Sequence, residues 1–178
     1  APRVVLTAAH CVGDAIEGGF TDFGSVRFGD GQSSWIDSIG IIDMTMHRLY
    51  DPPAFLQNDI ALLRLSANPG ITPVAVNGAA LTDALVGTPL ELVGYGRNEE
   101  LGSPLTFTAR NVVSPPINEV SDTRVKAGTI DQTTCFADQG GPGFLLFDDT
   151  PKVATVSVLH DRMDCIADPV RQRVDLYA

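Results

Sequence analysis

The chain has 178 residues, 44% of them hydrophobic, 19% charged and 7% aromatic, a globular mix that excludes wholesale disorder. Twelve basic against 22 acidic residues leave a net charge of −10; with no basic stripe, the chain is a poor binder of nucleic acid or anionic membrane surfaces, and no nucleic-acid partner is expected. No apolar run approaches the ~20 residues of a membrane-spanning helix, and 17 glycines with 12 prolines spread along the chain predict an all-β fold of many short segments and turns.

In chain order, residues 3–7 (RVVLT) form a β-branched run that leads into Ala8-Ala9-His10-Cys11. Residues 25–28 alternate and meet a turn at Gly29-Asp30-Gly31, and residues 35–46 make a long, loosely alternating run. Residues 60–65 (IALLRL) are short and apolar, bounded by Asn58-Asp59. Residues 82–86 carry the one hint of a helical turn, and residues 90–95 (LELVGY) form another short strand. The polar, turn-rich stretch 97–104 (RNEELGSP) is the expected linker, dividing the chain into 1–97 and 98–178. Beyond it, residues 105–113 alternate, and residues 112–117 (VVSPPI) run from a strand end into a turn. Residues 144–147 and 153–159 pair across Asp148-Asp149-Thr150-Pro151. Strands at this spacing predict a sandwich or barrels.

Three cysteines are an odd number. One pair plus a leftover suits an oxidising compartment with one partner missing; three buried thiols are the alternative. The three histidines, at 10, 47 and 160, show no metal-ligand spacing, and no Cys-x-x-Cys or phosphate-binding glycine loop occurs, so neither metal nor cofactor is expected.

Three landmarks carry chemistry: His10 in TAAHC, Asp59 in NDIALLRL, and the stretch 135–142, CFADQGGP. In this order they resemble the chymotrypsin/trypsin family of serine endopeptidases (peptidase family S1), whose nucleophile sits in a Gly-Asp-Ser-Gly-Gly-Pro loop. Shorter likenesses run along the chain: VRFG at 26–29, Gly94-Tyr95-Gly96, Val156-Ser157 and Arg173-Val174. The resemblance implies two antiparallel six-stranded β-barrels with the active-site cleft between them, the N-terminal barrel incomplete. His10 is then the general base and Asp59 the group that fixes its tautomer. It further implies a secreted protein that takes a polypeptide substrate or protein ligand in the cleft. A disulfide joins Cys135 to Cys165, and Cys11 has its partner in a segment upstream of this chain, which is read as cut at both ends.

The departures from the family fall at the reacting centre. Its serine falls on Gln139, which has no hydroxyl to activate. The oxyanion hole falls on the backbone of Ala137 and Gln139, and a Cβ at 137 is strained if that position needs a positive φ. The specificity pocket falls on Thr133, Ser157, Val158 and Leu159. Thr133 replaces the aspartate that selects basic side chains in trypsin-like members, and a pocket glycine is lost near Pro169-Val170. In the family the aspartate at the place of Asp138 pairs with a newly cut amino terminus; Ala1, a few residues before His10, is not expected to be that terminus. The expected function is therefore a trypsin-like domain by descent that has lost cleavage and acts by binding. A working endopeptidase is the alternative if the family chemistry is retained or if position 139 is artificially altered.

Overall fold

In the computed structural model, the described residues are 2–17, 24–30, 35–51, 57–96, 110–129, 134, 137–159 and 169–178. Twelve strands and one helix follow in order: β1 (Val4–Thr7), α1 (Ala9–Glu17), β2 (Ser25–Gly29), β3 (Trp35–Met46), β4 (Ala61–Leu65), β5 (Ala75–Val76), β6 (Glu91–Gly94), β7 (Asn111–Val113), β8 (Ile117–Val120), β9 (Arg124–Ala127), β10 (Pro142–Phe147), β11 (Thr150–Leu159) and β12 (Val170–Arg173). The expected helical turn is a 3-10 turn at Asp83–Leu85. The helix α1 was not anticipated.

The fold is all-β in two curled antiparallel sheets, as the trypsin-like double barrel requires. Among the described residues they hold four and eight strands rather than six and six: β1-β4-β3-β2 in the first, β7-β6-β10-β11-β12-β9-β8 in the second, with the two-residue β5 running parallel to β11. The change of sheet falls between β4 and β5, ahead of the stretch 97–104 at which the chain was expected to divide. The linker itself, Thr133, Cys135 and Cys165 lie outside the described residues, as does the side chain of Leu159.

Alternation along the strands decides what is buried. In β4, Ala61 and Leu65 face inward while Leu62 is exposed. In the second sheet, Leu90, Leu92, Ile117, Val125 and Leu145 form one core cluster. Full burial of side chains of this size is worth about 1.5–3 kcal/mol each. A separate cluster joins Ala8, just ahead of α1, to Val156, Val158, Val170 and Val174 of the second sheet and its exit. That cluster ties the start of α1 to the strands beside the 137–141 turn.

The hairpin β10–β11 closes with Phe147 opposite Thr150. Asp148 and Asp149 have φ of 51° and 57°, the left-handed pair that a two-residue hairpin loop demands.

Candidate active site

His10 is the second residue of α1, where backbone N–H groups have no acceptor within the helix. Asp59 supplies one. Its Oδ1 accepts the His10 backbone N–H at 2.8 Å, while its Oδ2 sits 2.7 Å from His10 Nδ1. One carboxylate thus caps the helix start and fixes the ring that the helix presents. Asp59 is 1% exposed. It is held by the turn before β4, where Asn58 has φ 57° and its carbonyl accepts the Ile60 N–H at 2.8 Å. Tyr177 donates its hydroxyl to Asn58 Oδ1 at 3.0 Å and lies edge-on to His47, 5.1 Å between ring centres.

The other ring nitrogen, His10 Nε2, is 3.4 Å from Cys11 Sγ, and Cys11 is half-buried with no disulfide partner among the described residues. Burial works against a charge on the ring. The hydrogen bonds to Asp59 and Cys11 outweigh it and raise the His10 pKa from 6.5 to about 10.

The turn that carries residue 139 is folded against both sheets. Gly140 N–H donates to Ser157 O and Ser157 N–H to Gly141 O, both at 2.8 Å. Gly140 has φ 81°, and a Cβ there would stand 2.3 Å from Thr7 Oγ1; only glycine allows this approach to the strand that leads into His10. Ala137 adopts φ 71°, so its side chain is held in the strained left-handed region. The Ala137 N–H donates to Oε1 of Gln139 at 3.0 Å. The amide oxygen at position 139 therefore occupies the first N–H of its own turn.

Asp138 lies in a seat cleared by two glycines. Its Oδ1 accepts the Gly96 N–H at 2.7 Å, and a Cβ on either Gly94 or Gly96 would collide with the carboxylate. Ser157 and Val158 are buried on β11, beside the turn.

The structure thus brings His10 and Asp59 into contact, sets Ala137 and Gln139 in one turn, and stacks Ser157 against that turn. Sequence reasoning missed Arg171. It lies opposite Ser157 across the β11–β12 ladder, is 0% exposed, and donates from Nη2 to Thr134 Oγ1 at 2.8 Å. A hollow of about 1010 Å³ lies between the sheets, lined by Leu6, Met46, Ile60, Phe144 and Val174. His10, Asp59, Ala137 and Gln139 are not part of its lining, so it is not this site.

The Trypsin family model matches residues 1–160. "Serine protease 7" of Drosophila melanogaster is 32% identical over 170 residues, covering 79% of this chain and 44% of that protein. "Inactive CLIP domain-containing serine protease A3" of Aedes aegypti is 33% identical over 105 residues, covering 55% of this chain and 22% of that protein. The chain spans less than half the length of either relative.

Proposed function

The chain belongs to the trypsin family of serine proteases, and from that premise we propose that it is a non-cleaving member, secreted, which binds a polypeptide in the cleft beside His10. The observation that carries this reading is the hydrogen bond from Ala137 N–H to Gln139 Oε1. Acyl transfer needs a nucleophile at position 139 and free backbone donors for the oxyanion. An amide supplies no nucleophile, and its oxygen already takes one of the two donors. The strained Ala137 belongs to the same turn.

His10 and Asp59 keep the geometry of a base and its orienter. Burial works against a charge on the ring, but the hydrogen bonds to Asp59 and Cys11 raise the His10 pKa to about 10, which favours the imidazolium over the neutral ring that accepts a hydroxyl proton. The pair then serves as an ion pair that locks α1 to β4. A relative named as inactive supports the same reading. Secretion is supported by the insect serine proteases that the chain resembles; among the described residues no helix is long and apolar enough to cross a membrane.

Loss of the triad serine costs about 10⁶-fold in kcat in a related chemistry. The 178-residue chain, shown to be folded by circular dichroism, is expected to give no turnover of a mixed fluorogenic peptide library and no fluorophosphonate label. Turnover or labelling that disappears in His10→Ala would overturn the proposal in favour of a working endopeptidase.

A further inference from the structure

Arg171 is the largest fully buried side chain among the described residues. It stands in the middle of the second sheet, opposite Ser157 on β11 and opposite Val125 on β9. Residues directly opposite across a ladder project to the same face, so Arg171 shares its face with Ser157. Ser157 in turn is bonded through its backbone to Gly140 and Gly141, the two residues that follow Gln139.

The guanidinium is under-used. One nitrogen, Nη2, reaches Thr134 Oγ1, whereas among the described residues Nε and Nη1 have no hydrogen-bond partner, and neither has the buried hydroxyl of Ser157. Among the described residues no carboxylate lies within ion-pair distance of Arg171. Asp138 acts on it from farther away, its own Oδ1 being engaged by Gly96 N–H. Burial pushes the Arg171 pKa down to about 10, with Asp138 pulling the other way. A buried cation with two open donors is unfavourable unless something anionic completes it. The fork of an arginine fits a carboxylate, which accepts two parallel N–H bonds, and the Ser157 hydroxyl adds a third donor on the same face.

We propose that Arg171, with Thr134 and Ser157, forms the floor of a pocket selective for a side-chain carboxylate, so that the cleft takes polypeptides carrying Glu or Asp next to the Gln139 turn. This rests on the reading of the cleft as a polypeptide-binding site. Seating a carboxylate replaces a buried unpaired cation by a bidentate pair, and a neutral isostere such as Gln leaves the cation unpaired. The net charge of −10 disfavours acidic ligands at long range, so any preference for them has to arise from a local cation of this kind.

The test is calorimetric titration of the 178-residue chain with acetyl-Ala-Ala-Pro-Glu-amide, its Gln counterpart and sodium acetate. The Glu peptide is expected to bind about tenfold or more tightly than the Gln peptide. Arg171→Met is expected to remove that difference and Arg171→Lys to keep part of it. Equal binding of the two peptides by the unsubstituted protein, or no binding of either, overturns the proposal without need of any variant. A Glu preference that survives in Arg171→Met assigns it to another cation and overturns it too. Acetate binding as tightly as the Glu peptide means that the site takes free acids, which overturns the polypeptide part. None of these outcomes bears on cleavage: a chain that neither hydrolyses nor labels remains non-cleaving even if the two peptides bind alike.

Discussion

His10 stands between opposed demands, and its charge state is where they are resolved. Burial removes water from the ring and favours the neutral form, but Asp59 holds Nδ1 and Cys11 lies against Nε2, and together they favour the imidazolium. A histidine whose pKa is raised on folding contributes its stabilisation in full below the unfolded value near 6.5 and loses it as the pH climbs toward about 10. NMR titration of the imidazole ring protons is therefore expected to give a midpoint near the upper end of that window. In Asp59→Asn the midpoint falls, because an amide offers Nδ1–H no charge to pair with. The same substitution weakens the acceptor for the His10 backbone N–H and is expected to cost about 1–3 kcal/mol in urea unfolding. A midpoint near 6.5 in the unsubstituted protein would restore His10 as a competent base.

The hairpin β10–β11 shows what sequence can and cannot disclose about an element. Its arms read as strands because both are apolar or β-branched, and Asp148-Asp149-Thr150-Pro151 reads as a turn. Its conformation was less legible: both aspartates are left-handed, a strain that glycine at the second position would relieve. Asp149→Gly is expected to stabilise the chain by about 0.5–1 kcal/mol, after allowance for the added freedom of the unfolded chain, read as a higher urea midpoint; an unchanged or lower midpoint counts against the left-handed loop. Helix α1 is hard to read because, although Ala9, Val12 and Ile16 keep a helical spacing, Gly13 interrupts it and the cap position holds Ala8, which has no capping side chain. Its cap, Asp59, arrives from 49 residues away. Strand β12 was missed for a different reason. Its sequence, VRQR, reads as polar surface, yet all four residues are buried. Hydropathy cannot reveal a strand whose arginines are covered: Arg171 reaches Thr134, 37 residues away, and Arg173 reaches Asp175 just past the strand and Ser121 O, 52 residues away. The same blindness hid Arg171 from the candidate site, whereas His10, Asp59 and Gln139 stood out through short, ordered motifs.

Over the whole molecule, the exit of β12 is fastened by a clasp that gathers three distant segments. Arg173 grips Asp175 through two bonds, Nε to Oδ1 at 3.1 Å and Nη2 to Oδ2 at 2.6 Å. Its Nη1 donates to Ser121 O at 2.7 Å, and Asp175 Oδ2 accepts the Leu81 N–H at 3.0 Å. The clasp therefore ties β12 both to the turn between β8 and β9 and to the segment that leads into β6. Both side chains are nearly enclosed, 10% and 3% exposed, so removal of one partner strands the other; such breaks cost about 3–5 kcal/mol. Burial by itself would raise the Asp175 carboxyl, but the hydrogen bonds from Arg173 and Leu81 hold it below its ordinary value. A carboxyl depressed in this way stabilises the fold above the unfolded value of 3.8 and loses that contribution as the pH falls through its lower folded value. Urea unfolding of the unsubstituted chain at a series of pH values from 7 to 3 is expected to show stability falling along an acid limb. In Asp175→Asn that limb is expected to flatten, on top of a loss of about 3–5 kcal/mol at pH 7. An acid limb of equal slope in both proteins would place the acid sensitivity elsewhere and reduce the clasp to a neutral contact. Through the Leu81 N–H that Asp175 accepts, the clasp is a tie in the second sheet that acid can release. The sheet carries Arg171 and Ser157, so the acid limb also marks the pH below which the proposed pocket loses its frame.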